Sequence, residues 1–288
     1  MAEAPGHRLG QIIGEALELA LEPVLSDFAK ANDLYLDKYG KRSTREGPKV
    51  TWYDDKNNKH DLDFVLERGG SDTKVGVPVA FIESAWRRYT KHSKNKAQEI
   101  QGAVEPLIRK HSSVKPFGGA IVGGMWSKPS LTQLTSLGFG VCHIEYSEIV
   151  HAFRQVGMEV ATSEATHDSE LQKEVDKYDA LSASQKFKLG EELRKCAPEE
   201  FKKFRMALER AIIRKLDRVL LIAMHGVSGN YASIAEAVNA IRTYEPPAAV
   251  PEVTRWEVSM RFTNEDRIDA SFQDKELAID FMESFASK

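Results

Sequence analysis

Residues 79–100 read VAFIESAWRRYTKHSKNKAQEI: a short apolar run ends on a lone acid, Glu83, and the chain then turns cationic. VAFI has the β-branched and aromatic content of a buried strand. After Ser84, Ala85 and Trp86 come Arg87, Arg88, Lys91, His92, Lys94 and Lys96. Between Ser84 and Lys115 there are eight Lys or Arg against two acids, Glu99 and Glu105, in a chain whose net charge is only −3. The stretch predicts a strand that presents a carboxylate at its end, then a helix from about Ser93 to Lys110 with Ser93 as its N-cap.

Upstream, the apolar period is two. VTWY (50–53) reads as a short strand, DDKNNK (54–59) as a turn, and HDLDFVLE (60–67) as a strand with Leu62, Phe64 and Leu66 on one face. Asp61, Asp63 and Val65 fall on the other face. After the turn RGGSDT, VGVPVAFIES completes a β-meander over 50–84. Hairpin neighbours lie about 4.8 Å apart, so Asp63 and Glu83 are expected to converge. Two facing carboxylates repel unless a divalent cation lies between them, and hard oxygen ligands suit Mg²⁺. The plainer alternative leaves Asp61 and Asp63 facing solvent and pairs Glu83 with Arg87 or Arg88.

Before the meander, residues 8–39 carry apolar positions at helical spacing, from Leu9 and Ile12 to Leu25 and Phe28, with a possible break at Pro23. After it, GGAIVGGMW (118–126) reads as a buried strand and SLTQLTSLGF as a helix closed by Gly138. VCHIEY (141–146) reads as a strand, and SEIVHAFRQVG as a helix capped by Ser147. Alternating strands and helices imply parallel, buried strands. From Thr162 to Arg218 the chain is polar and reads as a solvated helical pair. VLLIAMHG (219–226), YASIAEAVNAI (231–241), the hairpin WEVSMRF/RIDASF and DKELAIDFMESF then form a β-α-β-β-α unit after the linker EPPAAVP. The expected division is an α/β core over 1–160, a helical segment over 161–218 and a small α+β C-terminal subdomain over 219–288. No internal repeat is visible in the sequence.

Composition narrows the function. With 42% hydrophobic and 29% charged residues, the chain is ordinary for a globular protein. Its near-neutral charge advertises no nucleic-acid or membrane partner, so any such partner must meet a local patch. Cys142 and Cys196 lack the spacing of a disulfide framework or a zinc site, which fits a reducing, cytoplasmic setting. Neither a signal peptide nor a spanning run of about 18 apolar residues is expected.

A helix, an acidic hairpin with Asp63, a strand-end acid in FIESA (81–85) and a following helix bearing Lys and Gln/Glu together resemble the PD-(D/E)XK nuclease superfamily, which includes restriction endonucleases. The resemblance covers roughly residues 8–155. WSKPSLTQLTSLGFGVCHIEYSEIVHAF (126–153) is similar to the later α/β part of such proteins. It implies a restriction-endonuclease-like mixed sheet flanked by helices and a Mg²⁺-dependent endonuclease acting on double-stranded DNA, such as a type II restriction enzyme. A homodimer would supply two sites. It also implies Asp63 and Glu83 as metal ligands, with Glu18 of GEALE (14–18) as a further acid on the first helix. The family's lysine belongs two residues after the acid, where this chain has Ala85. Lys96 is therefore assigned the catalytic role, with Lys94 and Lys91 as competitors and Gln98 or Glu99 in support. Arg87, Arg88, Lys91, His92 and Lys94 are expected to hold phosphates.

Two other classes stay open: a non-catalytic DNA-binding or regulatory protein that keeps the nuclease fold, and an interaction protein whose basic loop meets an acidic partner. Cys142 and His143, adjacent on a strand, point to opposite faces and make no catalytic pair. The glycines of 118–124 form no P-loop. MHGVSGN (224–230) reads as a tight βα turn, with phosphate cradling as the alternative.

Overall fold

Helix α1 (Pro5–Ala31) begins on a proline, whose missing N–H is no loss in a first turn, and buries a stripe that includes Ile12, Leu17, Leu21, Leu25 and Phe28. It accommodates Pro23 without ending. It stops at Asn32 instead of running on to 39, because Asp33 takes a left-handed φ of 52° and turns the chain into strand β1 (Leu34–Lys38). The computed structural model describes residues 4–163, 165–223, 227–246, 253, 255–264 and 266–286.

The chain divides into two compact units, Met1–Leu208 and Glu209–Lys288. The first contains β2 (Val50–Tyr53), β3 (Lys59–Leu62), β4 (Phe64–Arg68), β5 (Val77–Arg87), α2 (Ser93–Lys110) and β6 (Phe117–Gly124). These are followed by α3 (Lys128–Ser136), β7 (Gly140–Glu145), α4 (Tyr146–Arg154), α5 (Asp168–Asp179), α6 (Ala183–Cys196) and most of α7 (Pro198–Ile212). Its centre is a mixed five-stranded sheet in the order β1-β4-β5-β6-β7. The first three strands are antiparallel and the last three parallel. Helices flank it on both faces. Val65, Phe81, Ala85, Ala120 and Val122 pack with Ala97, Ile100 and Val104 of α2 and Leu134 of α3. On the other face α1 comes close: a Cβ on Gly123 would lie 2.8 Å from Leu17 and 2.9 Å from Ile149.

The expected meander is split in two. β2 and β3 form a separate two-stranded ribbon, and the run read as one strand over 60–67 breaks at Asp63. Beyond the break Phe64, Val65, Leu66 and Glu67 are all buried, because β4 is a central strand covered on both faces. Burying Glu67 requires a partner, and the loops supply one. Arg42 donates from Nη1 to Glu67 Oε1 at 2.6 Å and from Nη2 to Oε2 at 2.9 Å, and it also reaches Asp37 Oδ2 at 2.7 Å. Arg45 donates to Asp37 as well, at 2.5 Å, and the Gly76 amide to Glu67 at 2.6 Å.

Two capping expectations change. Helix α2 is preceded by His92, while the buried Ser93 turns its hydroxyl to the Thr90 carbonyl at 2.7 Å. Helix α4 starts from Glu145 in a reciprocal capping box with Glu148, two residues ahead of Ser147. The polar segment after 162 is no solvated pair set apart from the core. Three helices form there, and Leu171, Val175, Tyr178, Leu189, Leu193, Phe201 and Phe204 are buried within the first unit. Heavy charge on their outer faces hid a sparse apolar stripe.

The second unit contains β8 (Leu216–Ala223), β9 (Val227–Tyr231), α8 (Ile234–Arg242), β10 (Trp256–Phe262), β11 (Arg267–Phe272) and α9 (Lys275–Glu283). Its antiparallel sheet has the order β11-β10-β8-β9, with Leu221, Val258 and Met260 packed on Ala237, Ile241, Ala278 and Met282. Residues 224–226 of MHGVSGN lie outside the described residues, as do 247–251 of the linker and Glu265 of the hairpin turn. Residues 227–231 are a strand, so Gly229 pairs with Leu221 in a ladder and opens no helix. The element order is thus β-β-α twice over, a repetition of architecture that the sequence did not display.

Candidate active site

The break at Asp63 makes the site. β4 pairs with β5 only as far as Phe64 opposite Ile82, so the β5 edge loses its strand partner just where Glu83 begins. β5 itself runs on to Arg87, which places Glu83 within the strand and not at its end. In place of a ladder bond, the Ser84 amide donates to Asp63 Oδ2 at 2.6 Å. The Ser84 hydroxyl donates the other way, to Glu18 Oε1 of α1 at 3.1 Å. One serine therefore ties together the acid of the bend and the acid of the first helix.

Glu18, Asp63, Glu83, Ser84, Arg87, Arg88, His92 and Lys96 line one cleft of about 670 Å³. Gly6, Gly10, Gly14, Trp86 and Tyr89 also face it. Lys91 and Lys94 are exposed and do not line it; the Lys91 ammonium lies 5.4 Å from the centre of the Tyr89 ring. Trp86 stacks on Tyr146 with ring centres 6.0 Å apart, so it anchors the wall. Arg88 lies 5.3 Å from the Tyr89 ring centre, and its Nη2 is enclosed without a hydrogen-bond partner among the described residues. Glu83 Oε1 is in the same condition.

The electrostatics follow from three acids in one place. Burial, then the neighbouring Asp63 charge, raises the Glu83 carboxyl well above the usual carboxylate range. Burial also raises Asp63, against the opposing pull of the Ser84 amide. Glu18 is pushed up to about 7 by burial and by Asp63. The Lys96 charge acts on both Asp63 and Glu83, but its ion pair is with Glu99 at 3.1 Å. Glu99 also holds Arg87 at 3.5 Å. Lys96 thus reaches the acids through its field and stops short of a direct bond. Ala85, where the lysine was expected, is buried in the apolar core against α2.

Among the described residues no three of His, Cys, Asp and Glu form a closed metal-holding group. The donors that do gather are hard oxygens carrying excess negative charge, one of them without a partner. That set fits a Mg²⁺-like cation, which takes one or two carboxylates and keeps much of its water. Asp63 and Glu83 would hold it, with Glu18 alongside.

In the folded protein Glu18 keeps a proton that the unfolded chain gives up near pH 4.5. Its contribution to stability is therefore full below that pH and lost as pH rises through about 7. In metal-free buffer, Glu18→Gln is expected to melt several degrees above the native protein at pH 8, and no higher at pH 4.5. The difference is of order 3 kcal/mol at most. Equal melting curves for the two proteins across this range would refute the assignment.

The sequence reading missed Ser84 and the α1 glycines. A signal for the latter was present: Gly6, Gly10, Gly14 and Glu18 recur every four residues, one helical face. The remaining constellations stay apart from chemistry. Cys142 is buried, its thiol pushed up chiefly by burial, and His143 Nε2 lies 3.1 Å from the Gly124 carbonyl. No protein-family model, curated protein or solved structure matches the chain. Among the described residues no helix is long and apolar enough to cross a membrane.

Proposed function

We propose that the cleft hydrolyses phosphodiester bonds in duplex DNA, as a metal-dependent endonuclease of restriction-enzyme-like fold. The observation that carries this reading is the meeting of Glu18, Asp63 and Glu83 at an unpaired strand edge beneath a rim of Arg87, Arg88, His92 and Lys96. The strand supplies Glu83, the bend Asp63 and the first helix Glu18, the three acids that the nuclease resemblance names.

Asp63 and Glu83 would hold a Mg²⁺ ion, which when bound would supply Lewis-acid polarisation of a phosphate oxygen and make the attacking water more acidic. Ser84 keeps Asp63 and Glu18 aimed at one point. Glu18, poised near neutrality, takes up the proton that the attacking water releases. The water oxygen bonds to phosphorus as the bond to the departing sugar oxygen breaks, and that oxygen leaves with a proton from solvent. Lys96 offsets the charge that builds on the phosphoryl oxygens. Arg88, with an unpartnered Nη2, and Arg87 hold neighbouring phosphates. Two copies of the chain would address the two strands of a duplex, as restriction systems require.

Purified protein with Mg²⁺ or Mn²⁺ is expected to nick or linearise unmethylated plasmid, and EDTA to stop it. Lys96→Ala is expected to slow cutting by roughly 10²-fold while leaving plasmid retention on a filter nearly intact. The pairing of Lys96 with Glu99 and the burial of Ala85 favour a second reading, a DNA-binding protein that keeps the fold without the chemistry. Retention of plasmid with no cutting under either metal would establish that reading and end the first.

A further inference from the structure

We infer that the glycine face of α1, Gly6, Gly10 and Gly14 leading to Glu18, is a track on which one strand of nucleic-acid backbone lies in close contact with the helix. All four residues line the same cleft. Over twelve residues the track is about 18 Å long.

Glycine is the poorest helix former after proline, so three in one helix face need a reason. Packing within the protein does not supply one. A Cβ at Gly14 would meet nothing within 4 Å. At Gly10 it would make an ordinary contact with Trp86 at 3.8 Å, and at Gly6 with Leu171 at 3.6 Å. Gly190 of α6 shows the contrast, since a Cβ there would lie 2.7 Å from the Leu19 carbonyl of α1. Gly102 of α2 is also uncrowded, but it stands alone on an exposed surface. Among the described residues only α1 aligns uncrowded glycines, and they face a cleft.

A second observation points to a ligand in that cleft. Glu83 and Arg88 line that cleft, and Glu83 Oε1 and Arg88 Nη2 are buried without hydrogen-bond partners among the described residues. A carboxylate oxygen that lacks a donor and a guanidinium nitrogen that lacks an acceptor are completed together by a cation and an anionic oxygen. A phosphodiester with its counter-cation provides both. The bare helix lets the backbone approach to backbone distance while Arg88 grips a phosphate. The inference rests on reading the cleft as a nucleic-acid site, though not on cleavage.

The test uses the full chain and its variants Gly10→Leu, Gly14→Leu and Gly14→Ala. Binding is read by anisotropy with a short fluorescein-labelled single strand and with the same sequence as a duplex, in Ca²⁺ buffer. Melting is recorded in parallel. The leucine variants are expected to melt about 2 °C above the native protein and to bind roughly tenfold or more weakly, with Gly14→Ala between. Tighter binding of the single strand would mark a single-stranded track, and tighter binding of the duplex one strand inserted from a helix. Native-like binding by both leucine variants, a melting point below native, or no binding by the native protein would overturn the inference. If native-like binding came with full cleavage, the nuclease reading would stand without the track. If the leucine variants lost binding and the native protein never cut, the track would stand without the nuclease.

Discussion

Glu83→Gln is expected to abolish cleavage while raising the thermal stability of the metal-free protein. Glutamine keeps the shape and volume of the side chain but removes a carboxyl whose ionisation the fold disfavours. Burial and Asp63 push the Glu83 carboxyl well above its ordinary range, and its Oε1 has no donor among the described residues. Burial and the neighbouring acids oppose ionisation of this carboxyl in the fold but not in the unfolded chain, so the melting temperature of the variant in EDTA at pH 8 should rise. The same change removes half of the proposed metal hold. Losing a ligand at which the transition-state charge is met should slow plasmid cutting by about 10³-fold or more, roughly 4 kcal/mol. Added Mg²⁺ should raise the melting temperature of the native protein more than that of the variant. Undiminished cutting by Glu83→Gln would displace the site from this cleft.

Arg42→Met is expected to be the most damaging substitution outside the site. Its guanidinium holds Glu67 through two hydrogen bonds and Asp37 through a third, and all three residues are buried. Methionine fills much of the space but leaves two carboxylates in the interior with fewer donors. Breaking a buried pair from one side costs about 3–5 kcal/mol, because the partner's charge stays behind without compensation. At about 2–4 °C per kcal/mol for a unit of this size, the melting temperature should fall by roughly 10 °C. Arg45→Met should lose much less, since Arg45 is nearer the surface and Arg42 still holds Asp37. A urea midpoint shift for Arg42→Met that matches the shift for Arg45→Met would show that the network does not stabilise the sheet.

The contrast between these two positions explains what could be read from the chain. Glu83 was legible because an acid closing an apolar run is conspicuous against residues 79–82. Glu67 was not. It sits in HDLDFVLE where a polar residue at a strand end looks like the start of a turn, and its partner lies 25 positions upstream in a loop. Alternation also misled at Asp63. Leu62, Phe64 and Leu66 keep a period of two whether or not the backbone bends, so the break that opens the β5 edge leaves no trace in the pattern. The polar helices α5 to α7 were misjudged for a related reason. Their buried residues are few per turn, and only packing in the first unit shows which side of each helix is inside. The second unit lost β9 because VSGNY, rich in turn formers, pairs as a strand only against the apolar β8.

By itself the sequence determined the alternation of strands and helices that makes the first unit α/β, the position of the carboxylate-bearing strand, the local excess of positive charge after it, and the absence of lysine at Ala85. These are properties of near neighbours, and hydrophobic period and composition record them directly. Tertiary structure alone decided that Ser84 ties Glu18 to Asp63, that Lys96 turns to Glu99, that Lys91 and Lys94 stay outside the cleft, and that the glycines of α1 face it. Each of those outcomes depends on where a backbone bends or how two distant elements face one another. Such geometry is set by the packing of the whole sheet and its helices, and no local pattern of residues encodes it.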